Sequence, residues 1–240
     1  MKQLILAAGK GTRLKKEITN KCLTVIEGKT LLDYNLELTA SLNITGIIVV
    51  VGHNAQCIID YLGESYQGIP IDYVYQHQQL GIAHAVNLSR ALLKESFLMC
   101  LSDELLVNSK LLDMKHFFID SNADCVCGIV EDTVENIRKA YTVKLDNNYR
   151  ICDLIEKPFH TFNQFKGTGY CMMRPSMLPI LDQLSPNPIR REYEMGNWIQ
   201  NAILQGLHCY GVIAGSRDFN INTPEDIIEA EHYLRGEFYV

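Results

Sequence analysis

Residues 4–14, Leu4-Ile5-Leu6-Ala7-Ala8-Gly9-Lys10-Gly11-Thr12-Arg13-Leu14, dictate how this chain begins to fold. The apolar head of the segment reads as a buried strand of a parallel sheet, and it breaks at once into glycines and small residues. Gly9 and Gly11 let the backbone approach a ligand closely and turn its amides inward, which suits a phosphate chain. Lys10 and Arg13 add cationic donors, and a guanidinium can grip phosphate in bidentate fashion. Read in isolation, the same segment also suits a tight strand-to-helix turn that holds no ligand. Other glycine loops fit worse. A dinucleotide fingerprint needs a third glycine where Leu14 stands, and an acid where the apolar strand at 47–51 ends in Gly52-His53. A Walker loop at Gly28-Lys29-Thr30 fails because Leu23 occupies the upstream glycine position.

The first half alternates between two periodicities. Residues 30–42, 55–62 and 82–93 carry apolar side chains at helical spacing, while 47–51, 71–75 and 97–101 are short apolar runs. This rhythm predicts an α/β fold, Rossmann-like and doubly wound, with a mostly parallel mixed sheet. Ligands in such sheets bind beyond the C-terminal strand ends, which places the Gly9 loop, Gln76 and Asp103 along one edge. The second half is more irregular, with short strands at 124–130, 141–145, 151–155, 169–173 and 208–214. No Pro/Ser/Gly-rich linker precedes it, so it predicts a small α+β lobe continuous with the first sheet. Residues 187–191 read as a loop before a helix through Trp198, an expected core residue. A last helix follows Asn222-Thr223-Pro224-Glu225, with Asn222 or Thr223 as its cap and proline in its first turn.

Composition narrows the function. Apolar residues make up 47% of the chain, enough for a real core, and a net charge of −6 argues against nucleic-acid binding by a basic surface. The eight cysteines form no Cys-x-x-Cys pair and mostly sit inside apolar runs, so they read as buried free thiols in a reducing compartment. A zinc site lacks ligand spacing. The apolar stretch at the N-terminus is too short for a leader, and no run reaches transmembrane length, so a cytoplasmic protein without membrane partners is expected. His53, His77 and His84 share no metal-ligand spacing with an acid and read as solvated or packing residues. No Gly-x-Ser-x-Gly supports a hydrolase.

Six ordered blocks resemble the sugar-phosphate nucleotidyltransferases, glucose-1-phosphate thymidylyltransferases among them. Besides the glycine loop, Gln79-Leu80-Gly81-Ile82-Ala83-His84-Ala85 is similar to the family's Leu-Gly-x-Ala-x-Ala segment, and Leu101-Ser102-Asp103 stands at its Leu-Gly-Asp. Ile155-Glu156-Lys157-Pro158 matches Glu-Lys-Pro, and Gly167-Thr168-Gly169-Tyr170 looks like the sugar-contacting turn. Arg190-Arg191-Glu192-Tyr193-Glu194 resembles Arg-Gly-Glu-Leu-Glu, and 220–226 corresponds to Asp-x-Gly-x-Pro-Glu-Asp. The resemblance implies one domain over 1–240, with a nucleotide-binding half to about 120 and an acceptor-binding half beyond. It implies nucleotide contacts from Leu6, Ala7, Ala8, Gly9, Lys10, Gly11, Thr12, Arg13, Gln76, Gly81, Ile82 and Ala83. Acceptor contacts fall to Glu156, Lys157, Thr168, Gly169, Arg191 and Glu194. Arg13, Lys21, Asp103 and Lys157 become the catalytic set, and Asp103 with Asn220 or Asn222 becomes the site of Mg²⁺ (or Mn²⁺). The chemistry agrees with these residue types, because joining two anions requires neutralisation and alignment more than a covalent nucleophile. Asp103 read alone also suits a helix N-cap.

The implied reaction transfers a nucleoside monophosphate from a triphosphate, a pyrimidine favoured, to a sugar 1-phosphate with release of pyrophosphate. Departures keep other acceptors open. Asn220 replaces the aspartate of thymidylyltransferases, Ser102 and Glu104 flank Asp103 unusually, and Ala140-Tyr141-Thr142-Val143 replaces a Tyr-Gly-Val-Val run near the acceptor. A cytidylyltransferase acting on a phosphonate, phospho-alcohol or cyclitol phosphate is the alternative reading. A non-catalytic nucleotide-sugar-binding regulator is a further one, and homo-oligomerisation stays open.

Overall fold

In chain order, β1 (Lys2–Ala7) is followed by the short hairpin of β2 (Val25–Ile26) and β3 (Lys29–Thr30), then α1 (Leu31–Thr39), β4 (Ile47–Val51), α2 (Ala55–Leu62), β5 (Ser65–Tyr66), β6 (Ile69–Tyr75), α3 (Ile82–Leu88), β7 (Phe97–Leu101) and β8 (Glu104–Val107). The second half runs α4 (Leu111–Asp120), β9 (Cys125–Glu131), α5 (Val134–Ile137), β10 (Tyr141–Leu145), β11 (Ile151–Glu156), β12 (Phe165–Met173), α6 (Met195–Leu204), β13 (Cys209–Ile213), β14 (Arg217–Asn220) and α7 (Pro224–Leu234). The structure, a computed structural model, describes residues 1–11 and 20–237, so Thr12 and Arg13 lie outside the described residues.

The apolar runs become neighbouring strands. β1 pairs in parallel with β4 on one side and β7 on the other, and β4 pairs in parallel with β6. Both faces of this centre are covered, as an unbroken apolar run requires: Leu4 and Leu6 pack into one core and Ile5 and Ala7 into the other. The register sets Ala7 opposite Val51, Leu6 opposite Leu101 and Val51 opposite Tyr75. Strand ends therefore fall level, and the Gly9 loop, Gln76 and Asp103 emerge on one edge, as expected.

β12 carries the sheet into the second half by pairing antiparallel with β7, β9 and β10. The ten-stranded sheet is thus mixed, parallel across β7, β1, β4 and β6 and largely antiparallel in the second half of the chain. β8 and β14 form a separate two-stranded ribbon with Glu104 opposite Asn220. This corrects the helix-cap alternative for Asp103, since the residue is followed by a strand and has no helix to cap. The helix expected over 82–93 ends at Leu88 and continues only as tight turns, where the Ser89 hydroxyl donates to Ala85 O at 3.3 Å and competes with the helical ladder. Thr223 caps α7 in a capping box with Asp226, and Pro224 occupies the first turn. Trp198 is fully buried and donates to Met177 O at 2.9 Å. Six cysteines are buried, Cys57 is half-buried and Cys152 exposed, all with free thiols. Among the described residues no helix is long and apolar enough to cross a membrane.

Candidate active site

Two cavities open on the edge where the parallel strands end. The smaller, about 330 Å³, is lined by Leu6, Ala7, Ala8, Gly9, Gln76 and Gly81 among others. The larger, about 570 Å³, is bounded by Lys166, Thr168, Gly169, Asp218, Asn220 and Asn222. Ile82, Asp103, Glu156 and Lys157 line both, so the two spaces meet at these side chains.

In the smaller cavity, Gln76 is buried and its Nε2 donates to Gly81 O at 3.1 Å and meets His84 Nδ1 at 2.9 Å. The carbonyl of Gly81 can only accept, which fixes the orientation of the Gln76 amide. It also assigns His84 the neutral tautomer with Nδ1 bare, and burial pulls this imidazole below its ordinary value. His84 is therefore a partner of Gln76, a role that its expected reading as solvated or packing residue did not include. Gly81 has φ +101°, and a Cβ there would lie 2.5 Å from Tyr193 O. Only glycine fits. Ala83 is buried and its N–H donates to Tyr193 O at 3.0 Å, so it braces the loop without lining the cavity. Lys10 is exposed, and neither it nor Gly11 lines the cavity; Gly11 instead packs over Lys21, where a Cβ would come within 2.9 Å of Lys21 Cβ.

At the junction, Lys21 Nζ donates to Asp103 Oδ2 at 2.5 Å and to Asn222 Oδ1 at 2.9 Å. The loop after β14 is drawn to this point because Ile221 N donates to Asp103 O at 2.9 Å. Asn220 Oδ1 instead accepts from Asn222 Nδ2 at 2.5 Å, so of the two asparagines it is Asn222 whose oxygen converges with Asp103 on a positive charge. No group of three or more His, Cys, Asp or Glu side chains suited to a metal occurs among the described residues. The oxygen donors available to a hard cation here are one carboxylate and side-chain amides.

Glu156, in the wall of both cavities, ends β11 and accepts from Gly196 N at 3.2 Å. Burial pushes its carboxyl up to about 7, against the pull of Lys157. Lys157 has φ +47°, a left-handed conformation that its position before Pro158 makes costlier, and it is held there by its N–H donating to Ala140 O at 2.6 Å. Residues 167–169, expected to form a turn, lie instead inside strand β12, where the register against β9 shifts, and the space beside the glycines is filled differently from the expectation that they admit a ligand. A Cβ on Gly167 would sit 2.0 Å from the Tyr141 ring and one on Gly169 2.3 Å from Leu101, so both glycines make room for protein side chains. Thr168 is buried, and its hydroxyl donates to Gly128 O at 3.0 Å and accepts from Tyr170 N at 3.2 Å. Glu194, which lines the smaller cavity, is hydrogen-bonded by Arg190, by Asn187 at 3.0 Å and by Asn197 at 3.2 Å. Arg191 is exposed at φ +57° and lines neither cavity.

A buried charge cluster underlies the larger cavity, and sequence reasoning passed over it. Lys166 Nζ lies 3.1 Å from Asp132 Oδ2 and 3.0 Å from Asp218 Oδ2, and donates to Asp218 O at 2.6 Å. Burial alone would lower Lys166, but the carboxylates of Asp218, Asp132 and Glu104 hold it above its ordinary value. Glu104, pushed well up by burial and by the charges of Asp218 and Asp103, accepts from Gly169 N at 2.6 Å and so ties the ribbon to β12. A lysine inside an apolar strand was the visible signal; its partners, remote in sequence, were not.

The chain matches the nucleotidyl transferase family over residues 2–235. It belongs to that family. This nucleotidyltransferase is 30% identical over 240 residues to a UTP–glucose-1-phosphate uridylyltransferase of Haloferax volcanii, covering 99% of this chain and 98% of that one. It is also 30% identical over 217 residues to a glucose-1-phosphate thymidylyltransferase of Streptomyces antibioticus, covering 89% of this chain and 60% of the relative. Among solved structures, a UDP-glucose pyrophosphorylase complexed with UDP-glucose superposes with a TM-score of 0.88 at 22% identity, over 99% of each chain. That likeness shows the shared fold.

Proposed function

We propose that this nucleotidyltransferase joins a pyrimidine nucleoside monophosphate to a sugar 1-phosphate, with Mg²⁺ (or Mn²⁺) held by Asp103 and Asn222. The observation that carries the reading is the meeting of two cavities at Asp103, with Lys21 and Lys157 both lining the smaller one beside it. The smaller cavity takes the triphosphate along the Gly9 loop, with Arg13 as a further phosphate donor, and the larger takes the acceptor. A phosphate oxygen of the acceptor attacks the α-phosphorus of the triphosphate. A new P–O bond forms, the bond between the α-phosphorus and the bridging oxygen breaks, and pyrophosphate leaves with the electron pair. No covalent enzyme intermediate is needed. Lys21 and Lys157 neutralise the two approaching anions and hold them in line. A divalent cation, when bound, adds charge neutralisation at the phosphates, and the convergence of Asp103 and Asn222 oxygens on the Lys21 ammonium supports a cation-binding point there.

Support for a pyrimidine base comes from Gln76. Its N–H groups are committed to Gly81 and His84, which leaves Oε1 to accept from the imide N–H of uracil or thymine. Protonated His84 would present a donor to a donor. Triphosphate affinity is therefore expected to fall as pH drops below the ordinary histidine value of 6.5, and to lose that dependence in His84→Phe. Calorimetric titration of UTP between about pH 8 and 5.5 checks both outcomes. Lys157→Ala is expected to lower kcat/KM for the acceptor roughly tenfold or more while UTP binding stays nearly intact. Steady-state kinetics with each substrate varied in turn decides it. Pyrophosphate release measured with UTP, dTTP and CTP against glucose 1-phosphate tests the whole reading. Turnover with UTP or dTTP supports it, and activity confined to CTP favours the cytidylyltransferase alternative.

A further inference from the structure

Glu194 lines the smaller cavity, yet its carboxylate has nothing left to offer a ligand. Oε1 accepts from Arg190 Nε and pairs with a terminal nitrogen of the same guanidinium. Oε2 accepts from Asn187 Nδ2 at 3.0 Å and from Asn197 Nδ2 at 3.2 Å. The lone-pair sites of the carboxylate are thus all engaged, its charge is matched, and the side chain is only 5% exposed. These donors close one segment on itself. Asn187 Oδ1 accepts from Ile189 N at 3.0 Å and Arg190 N at 3.1 Å, and the Asn187 N–H donates to Glu192 O at 2.8 Å. Asn197 lies in the first turn of α6. Residues 187–197 are therefore tied together at Glu194.

The residues on either side of Glu194 reach the two half-sites. Tyr193 N–H donates to Leu80 O at 2.7 Å and its carbonyl accepts from Ala83 N at 3.0 Å, so this one residue brackets Gly81, whose carbonyl orients Gln76. The Tyr193 ring also stacks on His84, with centroids 6.4 Å apart. On the other side, Gly196 N–H donates to Glu156 Oε2, and a Cβ at 196 would lie 2.6 Å from that oxygen. The missing side chain lets the Glu156 carboxylate lie against the start of α6.

We infer that Glu194 is a positioning residue for both substrates, setting Gln76 for the base through Tyr193 and Glu156 for the acceptor through Gly196. This rests on the nucleotidyl-transfer reading and replaces the direct acceptor contact expected of Glu194. Lys157, Arg190 and Glu194 are the charged groups that face Glu156. Removing the negative charge of Glu194 therefore makes the Glu156 carboxylate easier to form.

UTP binding is measured by calorimetry, and pyrophosphate release with whichever of glucose 1-phosphate and glucosamine 1-phosphate the wild type turns over. Glu194→Gln, which sets an amide among donors, is expected to weaken UTP about three- to tenfold, the cost of ordering a freed side chain or two on binding. It is expected to lower acceptor kcat/KM at pH 8 by a similar factor. The pH at which acceptor kcat/KM rises should also move down by roughly half a unit or more, which a loss of stability alone would not produce. Asn187 lines neither cavity. Asn187→Ala is therefore expected to show the same two losses at about two- to fivefold, and it decides the matter if Glu194→Gln does not fold. A lower melting temperature with UTP affinity or acceptor kcat/KM unchanged overturns the inference and leaves nucleotidyl transfer standing. Absence of pyrophosphate from every wild-type mixture overturns the nucleotidyl-transfer reading and the inference with it.

Discussion

Asp103→Ala is expected to lower turnover about 10²- to 10³-fold, the loss that follows removal of one preorganised electrostatic group. The residue stands where both cavities meet, and its Oδ2 is the closest partner of Lys21. Without it, Lys21 keeps Asn222, but the carboxylate that offers full charge to a divalent cation is gone. Stability should change little, because the ion pair is only partly buried and such pairs contribute about 0–1 kcal/mol. Turnover under saturating substrates, with a thermal melt of the same sample, separates the two effects. Excess chelator should abolish wild-type activity as well. A variant within threefold or so of the wild type would remove Asp103 from the chemistry.

Glu156→Gln should produce a large change in the opposite direction for stability. Burial holds the wild-type carboxyl at about 7 in the folded chain, against an ordinary value of 4.5. Between those values the folded protein keeps a proton that the unfolded chain has released. Folding stability therefore falls as pH rises through this window, by up to about 3 kcal/mol once pH exceeds 7. Glutamine carries no titrating proton and can still accept from Gly196 N, so Glu156→Gln should be more stable than the wild type at pH 8 and level with it near pH 4. Denaturant unfolding at both pH values measures the difference. Acceptor kcat/KM should move the other way: in the wild type it rises through about pH 7 as the carboxylate forms, and in the variant it is low and flat. A stability difference that did not depend on pH would mean that Glu156 is ionised throughout.

The parallel centre of the sheet was legible because its signal is local. Five consecutive apolar residues at Ile47–Val51 cannot lie half-exposed, and the change from an apolar run to a helical period marks each crossover. The C-terminal strand ends then fixed the edge on which the Gly9 loop, Gln76 and Asp103 meet. What stayed hidden depends on pairings remote in sequence. β8 and β14 are four residues each, and nothing within Glu104–Val107 announces that Arg217–Asn220 will lie against it. Without that ribbon, a helix cap stayed open as an alternative for Asp103, and Asn220 and Asn222 could not be told apart. The orientation of an asparagine after a strand is set by the turn that follows, here by Asn222 N donating to Asp226 Oδ2 at 2.7 Å. The glycines at 167 and 169 illustrate the converse. Their type was read correctly as a demand for space, but the space belongs to Tyr141 and Leu101.

Phosphorus NMR of a mixture of UTP, Mg²⁺ and either glucose 1-phosphate or glucosamine 1-phosphate tests most directly whether two anions are joined at Asp103. The account expects the paired resonances of a pyrophosphate diester to grow together with one equivalent of free pyrophosphate, and neither to form when the acceptor is omitted. UTP that stays intact with both acceptors, or that yields UMP and pyrophosphate without a diester, would contradict it.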